Sequence, residues 1–221
     1  MLLYYITDRS QFGGDTASQL AAVVERIGQA AKASVDYVQL REKDLSGGEL
    51  ERLTRHALAA IAAAGKSCTT KLLVNSRIDV AMASGAHGVH LPAAASGGVS
   101  AADARAVFGG SLMPLIAISC HSVAEVLQAW SDGADFVVLG PIFSKRSQGK
   151  HSGEKGSVKP LGLEPLRRLA AEPALKMPVL ALGGVTAENA ATCIAAGAAG
   201  VAGIRLFQQG SMAATVRLLS G

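Results

Sequence analysis

The chain has little that would staple it, stack on bases or cross a bilayer. Its 221 residues include three cysteines, one tryptophan and an aromatic share of 4%. Cys68, Cys120 and Cys193 are odd in number and far apart, and form neither a Cys-x-x-Cys pair nor a zinc spacing. That argues against a disulfide framework and a structural metal. No run approaches the roughly 20 apolar residues of a membrane span. The apolar N-terminal run, Met1 to Ile6, is too short for a signal peptide, so a reducing cytoplasm is expected. With so few aromatics there is no stacking platform for RNA or single-stranded DNA. Charged residues make up 17% against 49% hydrophobic, the reverse of a disordered composition. The net charge of +4 is small. The one basic cluster, Lys145 to Lys159, is interleaved with Gly and Ser and reads as a solvated loop, not a duplex-binding stripe. A small anionic molecule is the expected partner, with no nucleic acid and no membrane.

What is present is a regular alternation. Strand-length apolar runs recur at 2–7, 35–40, 71–75, 88–91, 115–119, 136–140, 178–183 and 200–204. Between them lie Ala/Leu-rich stretches of helical spacing, such as 17–33, 48–64 and 123–131. Glycines follow the helical stretches at Gly85, Gly133 and Gly197, as helix ends require. Strand runs alternating with helical ones predict βα units and a parallel sheet. Eight units favour a closed (β/α)8 TIM barrel over an open doubly wound sheet, as a single domain over residues 1–221. The length is below the roughly 250 residues typical of that fold, so most loops must be short. The exception is the stretch 144–160, a long loop without hydrophobic period.

Barrel chemistry gathers at the carboxyl ends of the strands. Residues two apart in a strand share a face, so Gln39, Arg41 and Lys43 are expected on one face with cations toward the strand end. An amide and two cations fill a core badly and suit an anion site. The alternative is that Arg41 and Lys43 are loop charges paired with Glu42 and Asp44. Ser119 and His121 share a face at the end of the fifth run, with Ser122 as a candidate N-cap. An imidazole at a strand end suits proton transfer, and a capping or core histidine is the equal alternative. His90 is a second candidate, read as structural, and His56 and His151 lack supporting context. Asn75 either binds substrate or caps the next helix, with capping the default. Asp79, inside that helix, reads as structural. Gly183, Gly184, Gly203 and Ile204 end the last two strands, where backbone N–H groups and helix N-termini receive phosphate. Spacing alone therefore predicts a phosphorylated ligand at the barrel mouth, leaves an acid/base histidine as one of two equal readings of His121, and gives no reaction.

Five segments carry a resemblance: Tyr37-Val-Gln-Leu-Arg-Glu-Lys43, Val74-Asn-Ser-Arg-Ile-Asp-Val-Ala81, Gly88-Val-His-Leu91, Leu139-Gly-Pro-Ile-Phe143 and Ala181-Leu-Gly-Gly-Val185. In this order they resemble the thiamine phosphate synthase and thiazole tautomerase family, from Tyr4 to about Phe207. The resemblance implies a barrel acting on thiazole phosphate in thiamine biosynthesis. The synthase joins a pyrimidine pyrophosphate to thiazole phosphate and releases pyrophosphate. Its Gln-x-Arg-x-Lys pattern implies that Gln39, Arg41 and Lys43 contact the pyrophosphate, with Asn75 and Ser119 also on substrate. Gly183, Gly184, Gly203 and Ile204 would hold the thiazole phosphate.

The departures favour the other branch. Synthases read Asn-Asp-Arg where this chain has Asn75-Ser76-Arg77, and carry an acid shortly after Val-His-Leu-Gly. Here Leu91-Pro92-Ala-Ala-Ala95-Ser96 offers none before Asp103, so both implied magnesium ligands are missing. The Pro-Thr-x-Thr-Lys loop is replaced by Ser144-Lys-Arg-Ser-Gln-Gly-Lys150, which leaves the family's catalytic lysine without a counterpart. The Pro after the fourth strand and Ser119-Cys-His121-Ser122 are similar to the tautomerase branch, while the full Gln-x-Arg-x-Lys set is synthase-like. The leading expectation is a tautomerase-like isomerase making the aromatic thiazole carboxylate phosphate without a cofactor. His121 would be its acid/base, and Lys43 a second catalytic cation that, with Arg41, holds the carboxylate. The alternatives are a synthase using magnesium and a non-catalytic thiazole phosphate binder. Arg205, where the family usually has serine, either adds a cation to the phosphate site or faces away. A homodimer is left open.

Overall fold

A computed structural model describes residues 1–93, 97–109, 113–144 and 159–220. Its strands are β1 (Leu2–Ile6), β2 (Tyr37–Leu40), β3 (Lys71–Asn75), β4 (Gly88–Leu91), β5 (Leu115–Cys120), β6 (Phe136–Leu139), β7 (Val179–Leu182) and β8 (Gly200–Gly203). Each pairs in parallel with the next, and β8 closes on β1 with Tyr4 opposite Ala202. This is the single-domain (β/α)8 barrel expected. Helices α1 (Thr16–Lys32), α2 (Gly47–Ala62), α3 (Ile78–Ser84), α4 (Ala101–Phe108), α5 (Val123–Ser131), α6 (Glu164–Ala170) and α7 (Ala187–Ala195) cross between consecutive strands. The short α8 (Arg205–Gln208) and α9 (Met212–Ser220) end the chain.

Local chemistry explains the boundaries. Asp15, Ser46, Ser100 and Ser122 each accept from a backbone N–H in the first turn of the helix that follows, and Ser46 completes a capping box with Glu49. Gly85 ends α3 at φ 75°, a conformation that favours glycine. The second strand begins at Tyr37 and not at Val35, because the Val35 N–H closes the α1 turn onto the Ala30 carbonyl.

The core has two layers. Between strands and helices lie residues such as Leu3, Val38, Leu72, Ile116, Val137 and Val201, all nearly inaccessible. Inside the barrel sit Tyr4, Ile6, Leu73, Ala117, Phe136, Val138, Leu180 and Ala202. Burial on both faces is why the strands read as nearly continuous apolar runs. Tyr37 stacks on Phe136 at 4.6 Å between centroids, and Tyr4 meets Phe136 edge-on at 5.3 Å. Gly200 makes the close approach of β8 to β1 possible, since a Cβ there would lie 2.0 Å from the Leu2 carbonyl oxygen. At the amino end, Asp36 and Asp135 accept from the backbone N–H groups of Leu3 and Ile116, at 2.8 and 2.7 Å. Polar groups at that end therefore brace strands, and the carboxyl end is left for chemistry.

Candidate active site

All the expected site residues lie at the carboxyl end of the barrel, though not always as strand periodicity predicts. Gln39 points inward and is buried, and its Nε2–H donates to Asn75 Oδ1 at 3.2 Å. The alternation then breaks, because β2 stops at Leu40 and the chain turns at Lys43 and Asp44. Glu42 is buried, accepting from the Thr7 hydroxyl at 2.7 Å and the Arg9 N–H at 3.1 Å. Arg41 and Lys43 therefore do not share a strand face with Gln39. They instead line one cleft of about 350 Å³ with Asp8, Arg9, Ser10, Gln19, Glu42 and Asp44.

The ion pairs in this cleft bear on the loop-charge alternative. Glu42 and Asp44 both pair with Arg9, which bridges them. The Arg9 guanidinium holds the exposed Asp44 carboxyl down at about 2. Burial raises the Glu42 carboxyl despite bonds from Thr7 and Arg9. With Arg9 serving both acids, Arg41 and Lys43 keep their charges for the cleft. Burial at Asp8 is outweighed by bonds from Ser10 and Gln11, which lower the carboxyl, with Arg41 adding the smallest share, while at His90 burial lowers the ring and Arg41 comes second. Its charge thus spans from the cleft toward the barrel axis.

Asn75 corrects the capping expectation. The N-cap position of α3 is Arg77, with no side-chain cap bond. The Asn75 amide is used sideways, accepting from Gln39 and donating to Ser76 Oγ at 3.1 Å. Asp79 pairs with Arg77 at 2.6 Å at the exposed start of α3, as a structural residue does. Neither position implied for magnesium offers a carboxylate. Ser76 stands at one with its hydroxyl bonded to Asn75, and Leu91-Pro92-Ala93 begins the other. Among the described residues no three His, Cys, Asp or Glu side chains gather as a metal cluster. A hard dication prefers several carboxylate or carbonyl oxygens, and the family's magnesium does not fit this donor set.

On the opposite arc, Ser119 accepts or donates at 2.7 Å with His90 Nε2, and His90 Nδ1 meets the Tyr4 hydroxyl at 2.9 Å. His90 is buried, as a structural histidine would be, yet it leads directly to a half-buried mouth residue. His121 follows β5, exposed, and its Nδ1–H donates to the Gly140 carbonyl at 2.6 Å. A carbonyl only accepts, so the proton sits on Nδ1, and in the neutral ring Nε2 keeps a lone pair toward solvent. Ser122 caps α5, as expected. His56 is exposed on α2, and His151 falls outside the described residues.

Gly183 and Gly184 follow β7 at φ 90° and 65°. They are crowded by the segment after β6, since a Cβ on Gly183 would meet Pro141 at 2.6 Å and one on Gly184 would meet Phe143 at 2.7 Å. That segment runs beside β7 through Ile142 N–H to Leu182 O and Phe143 N–H to Gly183 O, at 2.8 and 3.0 Å. Gly203 is the last residue of β8 and Ile204 precedes α8. Arg205 is exposed on the first turn of α8. The loop expected at 144–160 leaves from Ser144 and returns at Lys159, and its residues 145–158 lie outside the described residues.

The strand order sorts these groups. The expected anion holders lie at the ends of β7, β8 and β2, with β1 contributing to the same cleft, and these strands are consecutive around the ring. Hydrogen-bonding side chains, Gln39, Asn75, Ser119 and His121, occupy the ends of β2, β3 and β5.

The sequence model of the family described as thiamine monophosphate synthase matches residues 3–207. The chain is 40% identical over 200 residues to a putative thiamine-phosphate synthase of Geobacter sulfurreducens, covering 90% of this chain and 83% of that one. It is 36% identical over 219 residues to a thiamine-phosphate synthase of Methanoculleus marisnigri, covering 98% and 92%. Among solved structures, the thiamine phosphate pyrophosphorylase from Pyrococcus furiosus has a TM-score of 0.76 at 24% identity, a likeness of fold covering 99% of this chain and 93% of that one.

Proposed function

Since the chain belongs to the thiamine monophosphate synthase family, we propose that this enzyme of thiamine biosynthesis joins a pyrimidine pyrophosphate to thiazole phosphate and releases pyrophosphate. The observation carrying this reading is that two candidate anion sites share one barrel mouth. Arg41 and Lys43 line the cleft between the ends of β1 and β2, and the Gly183, Gly184, Gly203 and Ile204 backbone lies at the ends of β7 and β8. Two substrates that each carry phosphate need two such places. Sequence alone puts isomerisation first; the synthase names of the relatives reverse that order.

In this reading Arg41 and Lys43 meet the pyrophosphate, and Lys43 is the catalytic cation. As the carbon–oxygen bond breaks, its electron pair leaves with pyrophosphate, and fixed positive charge stabilises the oxygens where charge grows. Gln39 and Asn75, locked to each other, orient the pyrimidine, and Ser119 adds a hydroxyl contact. No step is assigned to magnesium.

The second reading, thiazole tautomerisation, is favoured by one observation, the Nδ1–H bond of His121 to Gly140. It leaves Nε2 free to take a proton from the thiazole ring system and return it at another atom as the double bond moves into the ring. The test offers the purified full chain both substrate sets and follows thiamine phosphate formation and thiazole aromatisation in parallel. Thiamine phosphate formation supports the synthase reading. Aromatisation alone replaces it with the second, and tight thiazole phosphate binding with neither product leaves a non-catalytic binder.

A further inference from the structure

Three polar side chains from β1, β4 and β5 form an unbroken hydrogen-bonded chain through the barrel interior. The Tyr4 hydroxyl lies 2.9 Å from His90 Nδ1, and His90 Nε2 lies 2.7 Å from Ser119 Oγ. Tyr4 is fully buried among Phe136, Tyr37 and the His90 ring, and His90 is 2% exposed. Only Ser119, half-buried near the end of β5, reaches the mouth.

The surroundings fix the direction of the chain. Burial raises the Tyr4 phenol well above its ordinary range, so it keeps its proton. A buried O–H left without an acceptor costs about 1–3 kcal/mol, and Nδ1 is the acceptor at hand. A ring nitrogen that accepts carries no hydrogen, so the imidazole proton is on Nε2 and is donated to Ser119 Oγ. The reverse arrangement, Ser119 to Nε2 and Nδ1–H to Tyr4, strands the phenolic proton among aromatic rings. Burial, with the nearby Arg41 charge second, drives His90 down to about 3, which keeps the ring neutral.

We infer that Ser119 keeps its O–H free for donation to bound substrate, its direction set by Tyr4 and His90 as positioning residues. That O–H is satisfied by a substrate atom with a free lone pair, an unprotonated ring nitrogen or an oxygen. The direction also separates this pair from a serine nucleophile with its base, since Nε2 already holds the proton that a base must take. The choice of substrate rests on the synthase reading above; the direction of the chain does not.

The test begins with ligand-free protein labelled with ¹⁵N histidine. Long-range ¹H–¹⁵N correlation at neutral pH is expected to find the His90 proton on Nε2, with Nδ1 pyridine-like and shifting when Tyr4→Phe removes its donor. A proton on Nδ1 in the unmodified protein overturns the inference, whatever the enzyme turns over. Kinetics supply the second arm. Ser119→Ala is expected to raise KM for the pyrimidine pyrophosphate about tenfold, the equivalent of one hydrogen bond. His90→Leu should do the same in the unmodified background and nothing further in Ser119→Ala. His90→Gln, whose amide both accepts and donates, should recover most of the loss. Independent, additive effects of Ser119→Ala and His90→Leu on KM would also overturn it. If no turnover is found, the synthase reading fails and the spectrum still decides the relay.

Discussion

The Nδ1 atom of His121 lies 2.6 Å from the carbonyl oxygen of Gly140, one residue past β6, so a side chain from one strand end is oriented by the backbone of its neighbour. The bond commits the imidazole to one tautomer and fixes the direction in which Nε2 faces. This is the arrangement a general acid/base needs, and it requires no third side chain.

His121→Ala is accordingly expected to lower any thiazole aromatisation by about 10²–10⁴-fold, the usual share of general acid–base catalysis. Initial rates of aromatisation in both proteins measure it. Aromatisation that persists undiminished in the variant would remove His121 from the chemistry.

The barrel was legible because buried parallel strands announce themselves as apolar runs cut by glycine, and eight of them close a ring. The placement of Gly183 and Gly203 was legible for a related reason: strand ends put them at one mouth whatever the register. What was not legible depends on pairing across the ring. Asn75 reads as a helix cap until β2 and β3 align to bring Gln39, 36 residues earlier, against it. Tyr4 and His90 are separated by 86 residues, and nothing local to either indicates the other. Glu42 turns inward because Thr7 and Arg9 are waiting in the loop after β1, and that turn ends the alternation from which a shared face for Gln39, Arg41 and Lys43 was inferred.

Arg41 and Lys43 should differ from other surface cations in what their loss does. Replacing either with Ala is expected to raise KM for the pyrimidine pyrophosphate about 10–100-fold, the worth of a hydrogen bond to a charged group. KM for thiazole phosphate should change far less. The penalty should shrink as salt is raised, more for the exposed Lys43 than for the half-buried Arg41. Arg41→Lys should restore charge but not a planar two-point contact, and so recover only part of the loss. Equal effects on the two KM values would mean that the cleft does not distinguish the substrates.

Gly184 combines two constraints that can be separated. Its φ of 65° favours glycine, and a Cβ would also lie 2.7 Å from the Phe143 Cβ and from the Ser144 carbonyl oxygen. Gly85, at φ 75°, has nothing within 4 Å of where a Cβ would stand. Gly85→Ala should therefore lose only the backbone term, about 1–2 kcal/mol. Gly184→Ala should lose more, and should weaken thiazole phosphate binding as the segment after β6 is pushed from β7. Urea unfolding of both variants, with thiazole phosphate titrations alongside, measures the difference. Equal destabilisation would mean that the close approach to Phe143 carries no constraint.

His90 predicts the acid limb of the stability curve. Its pKa in the folded protein is about 3, chiefly through burial, against an ordinary value near 6.5. Between those values the unfolded chain binds the proton and the folded one does not, so stability rises with pH across this window and is lost as pH falls through it. Glu42 works the other way. Burial raises its carboxyl, so just above the ordinary carboxylate range the folded state holds more protons and that contribution falls with rising pH. A single stability curve mixes the two groups, and comparison with a variant isolates one. His90→Gln removes the titrating ring and leaves Glu42 in place. Its stability relative to the unmodified protein should therefore improve as pH is lowered from 7.5 to 4.5, by an amount on the order of a few kcal/mol. Urea unfolding at constant ionic strength measures that gap. Curves that stay parallel over the whole range would mean that His90 takes up its proton in the folded barrel as readily as in the open chain, and the buried neutral imidazole would have to be given up.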